Sequence, residues 1–191
     1  MPVAFDSPDK KEDRMTLRDI VKKAALLIGA NLDFSVEGYD QTLFILAGKD
    51  LLMRISGELC DVRAKEKAYA VGGVIPYTAL SKSVKRIISV KKEGRATPFF
   101  ETSAGIEVSE DGQYEVLYAY LIENADFLTD VDLPPKFNLY VLATGTVSDY
   151  CYKKGLYAEG KLFDERFVKA LKNATEDAKN LVVKTGTEYA I

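Results

Sequence analysis

The chain has 191 residues, of which 47% are hydrophobic and 29% are charged, and these proportions are typical of a folded globular protein. Its 26 basic and 29 acidic residues give a net charge of −3, which predicts no general attraction to nucleic acid. Histidine is absent, and its absence excludes Ser-His-Asp triads, histidine general bases and imidazole zinc ligands.

The cysteines and the N-terminal residues indicate the cellular compartment. Cys60 and Cys151 form no C-x-x-C pair, so two buried thiols in a reducing compartment are the favoured interpretation, with one long-range disulfide as the alternative. Residues 1–14 are polar, contain two prolines and lack the apolar segment of a secretory signal. No apolar run approaches the roughly 18 residues of a membrane-spanning helix. We therefore expect an intracellular protein without membrane contact.

Two helices are predicted at the start of the folded region. Thr16 and Asp19 have the spacing of a capping box, and the apolar stripe that follows ends at Gly29, the position of a C-cap glycine. A second helix is predicted from Asp40, as its N-cap, to about Cys60. Two glycines weaken this second stripe, because glycine costs about 1 kcal/mol in a helix interior relative to alanine.

The middle of the chain has the patterns of strands. Residues 85–90 are β-branched, residues 114–121 are rich in Tyr and Val, and residues 62–80 are expected to lead into the sheet. Asp111-Gly112 is a hairpin signal, which predicts that residues 106–108 pair with the strand after it. These segments predict a small antiparallel sheet.

Two more helices are predicted near the end of the chain. The third begins at Leu133-Pro134-Pro135, since proline is tolerated in a first turn, and it is closed by Gly155. The fourth runs from about Lys161 to Val182.

The order of elements predicts an α+β fold. In this fold a helical bundle, formed by two N-terminal and two C-terminal helices, carries a central antiparallel β-meander insertion at about residues 62–122. The domain boundaries follow from the same pattern. Residues 1–14 are a flexible N-terminal arm, residues 15–184 form a single domain, and residues 185–191 are a C-terminal tail.

One acidic segment resembles the ligand set of a divalent cation. Asp126, Asp130 and Asp132 follow Glu123 within ten residues, and hard cations prefer carboxylate oxygens. The D-x-D string is short, however, and no phosphate-binding glycine loop or calcium-loop glycine accompanies it. A solvated loop ahead of the third helix is the favoured interpretation. Two functions are left open at this point: a divalent-metal-dependent enzyme of unknown substrate, and an α+β interaction domain.

The serines provide no better nucleophile, because no histidine can activate them and no G-x-S-x-G motif occurs. Ser81-Lys82-Ser83 would need a strongly desolvated lysine for catalysis, and its polarity predicts an exposed turn instead. We expect no catalytic residue and no cofactor.

Charge is segregated along the middle of the chain. Six basic residues and one acid lie between Lys82 and Arg95, whereas nine acids and no Lys or Arg lie between Ala96 and Pro135. One interpretation is cross-strand pairing within one sheet. The other is a bipolar surface, through which copies meet head to tail in a ring. The residues predicted for such subunit or partner contacts are Lys82, Lys85, Arg86, Lys91, Lys92, Arg95, Glu107, Glu110, Asp111 and Glu115.

Several segments have patterns found together in one family. They are the opening helix from Met15 to Gly29, the stretch Leu51-Leu52-Met53-Arg54-Ile55, the proline turn Ile75-Pro76-Tyr77 with the R-I-x-S-V strand at 86–90, the G-x-Y-x-V-x-Y-x-Y strand at 112–120, and Phe163, Phe167 and Leu171 of the last helix. Over about residues 15–184 the chain resembles the head-to-tail connector, or portal adaptor, proteins of tailed bacteriophages.

The resemblance implies a structural virion protein rather than an enzyme. Such proteins form a homo-oligomeric ring, typically twelve-fold, which extends the DNA channel below the portal and provides the platform for tail attachment. The implied partners are the portal protein, tail or further connector proteins, and double-stranded DNA that passes through the channel without specific contacts. The implied location is the head–tail junction of the virion, after assembly in the host cytoplasm. Residues 1–14 and 185–191 would then order on a partner ring.

Overall fold

A computed structural model describes the backbone of residues 15–30, 38–123, 125–128 and 130–186, and side chains up to residue 174. The predicted N-terminal arm at 1–14 lies outside the described residues, and so does the end of the predicted tail, residues 187–191. Residues 185–186 belong to the last helix instead of a tail.

Helix α1 (Leu17–Leu27) begins at the predicted capping box. The Thr16 hydroxyl accepts a hydrogen bond from the Asp19 amide (3.3 Å), and the Asp19 carboxylate accepts one from the Thr16 amide (3.0 Å). The Thr16 hydroxyl also donates to the Asp19 carboxylate (2.6 Å), and the bonds from this hydroxyl and from the Thr16 amide lower the pKa of Asp19 below its ordinary value. Gly29 follows the helix with a φ of +69°, so the predicted start and end of this helix are confirmed.

Helix α2 (Tyr39–Arg54) continues into a π-helical turn (Ile55–Leu59) before Cys60. Its N-cap is Gly38 and not Asp40, which lies in the first turn, where a carboxylate favours the positive end of the helix dipole. The π turn buries Ser56 completely. The Ser56 hydroxyl donates to the Leu52 carbonyl (3.0 Å) and accepts from the Ile122 amide (2.9 Å), so it connects the helix to the chain that leaves the sheet.

The described strands form two antiparallel sheets. In chain order they are β1 (Val62–Ala70), β2 (Val74–Ile75), β3 (Ser83–Lys92), β4 (Arg95–Ala96), β5 (Phe100–Glu101), β6 (Ile106–Glu107) and β7 (Gly112–Leu121). The larger sheet has the order β1-β7-β3-β4 and the smaller one β2-β6-β5.

The order in the larger sheet departs from that of a meander, because β7 lies between β1 and β3. β1 pairs with β7 along its whole length, from Val62 opposite Tyr120 to Ala70 opposite Gly112. β7 carries the aromatic and branched side chains that must be buried, whereas β1 and β3 carry the lysines that suit outer positions. The burial of these β7 side chains therefore explains why β7 lies between β1 and β3.

The hairpin predicted at Asp111-Gly112 is wrong. β6 pairs with β2 and β5, and β7 starts directly after the turn without pairing to β6. The Asp111 carboxylate accepts a hydrogen bond from the Gly73 amide at 2.7 Å, so this turn residue holds the distant β1–β2 loop. By contrast, the chain turns tightly at Gly94, where Glu93 and Gly94 both have positive φ between the paired residues Lys92 and Arg95.

Helices α3 (Leu139–Lys153) and α4 (Tyr157–Gly186) close the bundle. The start predicted at Leu133 is wrong, because the chain turns at Pro134 and the helix begins only after Asn138. The Asn138 side chain accepts hydrogen bonds from the amides of Tyr140 (3.0 Å) and Val141 (3.1 Å), and this cap determines the boundary. The predicted separation of the two helices at Gly155, with φ +79°, is confirmed.

The buried side chains form two separate clusters. The bundle core joins all four helices around α3, which is buried on nearly every side from Val141 to Ser148. The sheet core lies between the larger sheet and the β2-β6-β5 sheet. The predicted α+β class, with a helical bundle and a central antiparallel insertion, is confirmed. In the described part of the chain, no helix is long and apolar enough to cross a membrane.

Candidate interaction surfaces

The two faces of the larger sheet have different surroundings. On one face Tyr114, Val116 and Tyr118 are buried in the sheet core. The opposite face, here called the open face, contributes no side chain to either core cluster of the described residues. By register the open face carries Arg63, Lys65, Lys67, Tyr69, Arg86, Ser89, Lys91, Gln113, Glu115 and Leu117, and the same side of the sheet continues to Ala119, which is fully buried.

The open face is strongly basic, because Arg63, Lys65, Lys67, Arg86 and Lys91 are all exposed on it. The single carboxylate among them belongs to Glu115, which lies opposite Lys67 and Lys91 and forms an ion pair with Lys65 at 2.9 Å. Arg86 also pairs with Asp61, and Glu115 alone cannot neutralise the other four cations, so this face keeps a positive potential.

Half of the open face was not predicted from the sequence. Arg63, Lys65 and Lys67 lie on β1, in a segment that was expected only to lead into the sheet. The available signal was a period of two, in which Val62 and Ala64 alternate with charged residues. Alanine, lysine and glutamate are poor strand formers, and they concealed this pattern.

Two of the predicted contact residues, Lys85 and Arg86, form ion pairs with Asp61 of the same chain. The Lys85 ammonium lies 3.3 Å from the Asp61 carboxylate and donates to the Ser56 carbonyl at 3.0 Å. The Arg86 guanidinium binds the same carboxylate while its side chain stays 54% exposed. Hydrogen bonds from Arg86 and Lys85 hold the pKa of Asp61 below its ordinary value. Lys85 therefore stabilises the junction of sheet and bundle, and Arg86 serves both that junction and the open face.

Three further predicted residues meet one another at the far end of the sheet. The Lys92 ammonium lies 2.7 Å from the Glu110 carboxylate and 3.1 Å from the Asp111 carbonyl. The hydrogen bond between Lys92 and Glu110 raises the pKa of Lys92 and lowers that of Glu110. These residues therefore pair within the chain, between β3 and the loop that precedes β7.

The remaining predicted residues are exposed at separate places. Lys91 lies on the open face, Arg95 at the β3–β4 turn, and Glu107 on the small sheet. Lys82 lies 5.9 Å from the centre of the Tyr120 ring. The structure thus disperses the predicted set: some members pair within the chain, and others remain available at the surface.

Acidic residues surround a cavity of about 200 Å³ near the end of β7. Glu123, Asp130 and Asp132 line it and are here called the acidic rim, and Lys82 is a further lining residue. Asp126 is exposed on the same loop but does not line the cavity. Across the described residues, no three His, Cys, Asp or Glu side chains are arranged to hold one metal ion. The metal-dependent alternative stays a prediction.

A network of hydrogen bonds around Glu66 fixes the loop that borders this cavity. The Glu66 carboxylate accepts hydrogen bonds from the hydroxyls of Tyr118 and Ser81, both at 2.5 Å, and from the Ser81 amide at 2.9 Å. Burial and the bond to Glu66 raise the pKa of Tyr118 to about 12. The network holds the segment before β3 against the sheet, and this positions Lys82 beside Tyr120.

The two free cysteines provide no site of their own. Cys151 is buried in the bundle core, and Cys60 is half-buried after the π turn. Burial raises the pKa of both thiols, which favours the unreactive protonated form.

Asp149 is the most perturbed carboxyl group of the bundle. It lies 3.4 Å from the Arg54 guanidinium with 15% of its side chain exposed, and burial raises its pKa to about 6. The folded state therefore binds this proton more tightly than the unfolded state does. The stabilisation that results is complete below the ordinary pKa and is lost as the pH rises towards 6.

We expect Asp149→Asn to gain stability relative to the wild type by up to about 3 kcal/mol between pH 4 and pH 7. Urea unfolding at several pH values measures this difference. Asp61→Asn is the control of opposite sign: the pKa of Asp61 is lowered, so the cost of its loss should be full at neutral pH and should shrink only as the pH falls below the ordinary pKa of an aspartate. A difference between Asp149→Asn and wild type that does not change with pH would contradict the assignment.

Comparison with models of protein families and with curated protein sequences found no match for this chain.

Proposed function

We propose that this chain is a structural protein that assembles head to tail into a ring, as a head-to-tail connector (portal adaptor) of a tailed bacteriophage. In this role the ring, twelve-fold by the resemblance, lies under the portal at the head–tail junction of the virion. It extends the channel for double-stranded DNA and provides the platform for the tail. The sequence resemblance over about residues 15–184 motivates the proposal.

The observation that carries the proposal is the pair of oppositely charged surfaces. The open face and the acidic rim are made of different residues, and both are accessible. A contact between two different patches is heterologous, so each copy can bind a copy on either side, and such contacts form a ring when the rotation from copy to copy closes. A scaffold with two complementary surfaces suits assembly.

The test is the mass of the assembled particle, measured for the full chain alone and with the portal protein of the same genome. We expect negative-stain images to show rings, or a portal ring with an added layer. Because the contact depends on charge, we expect the assembly to weaken as ionic strength rises. A chain that stays monomeric and leaves the portal particle unchanged would contradict the proposed function.

A further inference from the structure

The open face and the acidic rim lie at different places on the larger sheet, because Lys65 and Lys67 lie opposite Leu117 and Glu115, whereas the rim follows the end of β7. Side chains alternate along β7, so Tyr118 and Tyr120 project from the covered face, while Glu115 and Leu117 project from the open face. The cavity of the acidic rim lies at the end of β7, where Tyr120 lines it from the covered face and Ser83 and Leu121 line it from the other side of the sheet. A copy that offers its open face to one neighbour therefore keeps its acidic rim available to another.

The two surfaces are complementary in charge. The open face carries five cations, of which Arg86 pairs with Asp61 and Lys65 pairs with Glu115, and the acidic rim carries three carboxylates with Lys82 beside them. Opposite potentials increase the rate of encounter and select the register of the contact.

Exposed apolar side chains accompany both surfaces. Tyr69 is 60% exposed on the open face opposite Gln113, and Leu117 is half-buried farther along the same face, opposite Lys65. Leu128, in the loop that carries the acidic rim, is 68% exposed. Interfaces draw most of their affinity from a few large side chains inside a polar border, and these residues provide such anchors.

We infer that the open face of one copy docks on the acidic rim of the next copy, with Lys65 and Lys67 facing Glu123 and Asp132. This inference rests on the proposed ring and names the surfaces that build it. The occupant is a second copy because the chain itself presents the matching acidic surface. Phosphate groups of nucleic acid are the competing occupant, and the experiment separates the two.

The experiment uses two charge-reversed full-length variants. Lys65→Glu with Lys67→Glu makes the open face acidic, and Glu123→Lys with Asp132→Lys makes the rim basic. Each variant alone should need at least about tenfold more protein for half-assembly than the wild type, since like charges then meet. An equal mixture should assemble again, because alternating copies restore opposite charges at every contact.

The matched control is Lys161→Glu with Lys169→Glu, which changes the net charge equally at exposed positions of α4. We expect this control to assemble as the wild type does. Sedimentation velocity with the portal particle present gives the assembled fraction, and circular dichroism checks that each variant is folded.

The outcomes distinguish the docking contact from the proposed function. If wild type forms rings and Lys65→Glu with Lys67→Glu assembles equally well, the docking inference is wrong and the ring stands. If neither wild type nor any variant joins a ring or the portal, the proposed function fails together with the contact. If the open-face variant assembles normally but loses binding to a double-stranded DNA probe at physiological salt, the face binds nucleic acid instead.

Discussion

Replacing Gly105 with alanine is expected to destabilise the protein by about 3 kcal/mol or more. Gly105 lies between β5 and β6 with a φ of +151°, which residues with a Cβ rarely adopt. A Cβ at this position would lie 2.2 Å from the Ile75 carbonyl oxygen and 2.9 Å from the Pro76 Cα. Backbone atoms fill this space, so β2 would have to separate from β6, and the cover of the sheet core would open.

Gly94→Ala is the control for Gly105→Ala, because Gly94 also has a positive φ, +79°, but no atom within 4 Å of an added Cβ. It should cost about 1 kcal/mol, the penalty for the backbone conformation alone. Urea unfolding followed by far-ultraviolet circular dichroism compares the two variants. Equal losses would show that the close approach to Ile75 has no energetic importance.

Replacing Phe44 with alanine is expected to destabilise the protein by about 3–5 kcal/mol, because it removes a buried ring from the bundle core. Phe44 is fully buried on α2, and its ring stacks on Tyr150 of α3 with the centroids 3.8 Å apart. The Tyr150 hydroxyl donates to the Asp40 carboxylate at 3.2 Å, and the Lys154 ammonium donates to the same oxygen at 2.7 Å. Loss of the ring leaves a cavity and removes the support of this link between α3 and α2.

Leu46→Ala is the control on the same helix, because Leu46 is 45% exposed and should cost less than about 1 kcal/mol. Tyr150→Phe keeps the stacked ring and removes only the hydroxyl, so it should cost about 1 kcal/mol. The same unfolding measurement ranks the three variants. A loss in Phe44→Ala no larger than that in Leu46→Ala would disprove the role of the stacked pair.

Local signals predicted the helices well where the boundary is determined by neighbouring residues. Thr16 and Asp19 bond to each other across one helical turn, so their spacing was enough to locate the start of α1. The start of α3 was missed because Leu133-Pro134-Pro135 and Asn138 are competing local signals. The side chain of Asn138 caps two amides, and the prolines only shape the turn before it.

Pairing between distant segments could not be predicted in the same way. The Asp111-Gly112 turn has the composition of a hairpin, but Asp111 bonds to Gly73, and β7 pairs with β1. No local pattern contains this information, since burial of Tyr114 and Tyr118 in the assembled sheet decides the pairing.

The predicted contact set shows the same division. Segregated charge was visible in the sequence, yet Lys92 pairs with Glu110 inside the chain. Arg86 and Lys91 share the open face with Lys65, which the set omitted because β1 was not predicted as a strand. A charged surface depends on which strands become neighbours, and that is a property of the fold.

The central position of β7 also affects when the protein can fold during its synthesis on the ribosome. β1 has its partner only after Leu121 has been synthesised, and α1 and α2 pack on a helix that ends at Lys153. Contacts between residues so far apart in sequence slow folding and leave strand edges exposed during synthesis. During most of its translation the nascent chain therefore has no completed core. The unpaired strands and apolar side chains available to holdase chaperones are most numerous just before β7 is synthesised.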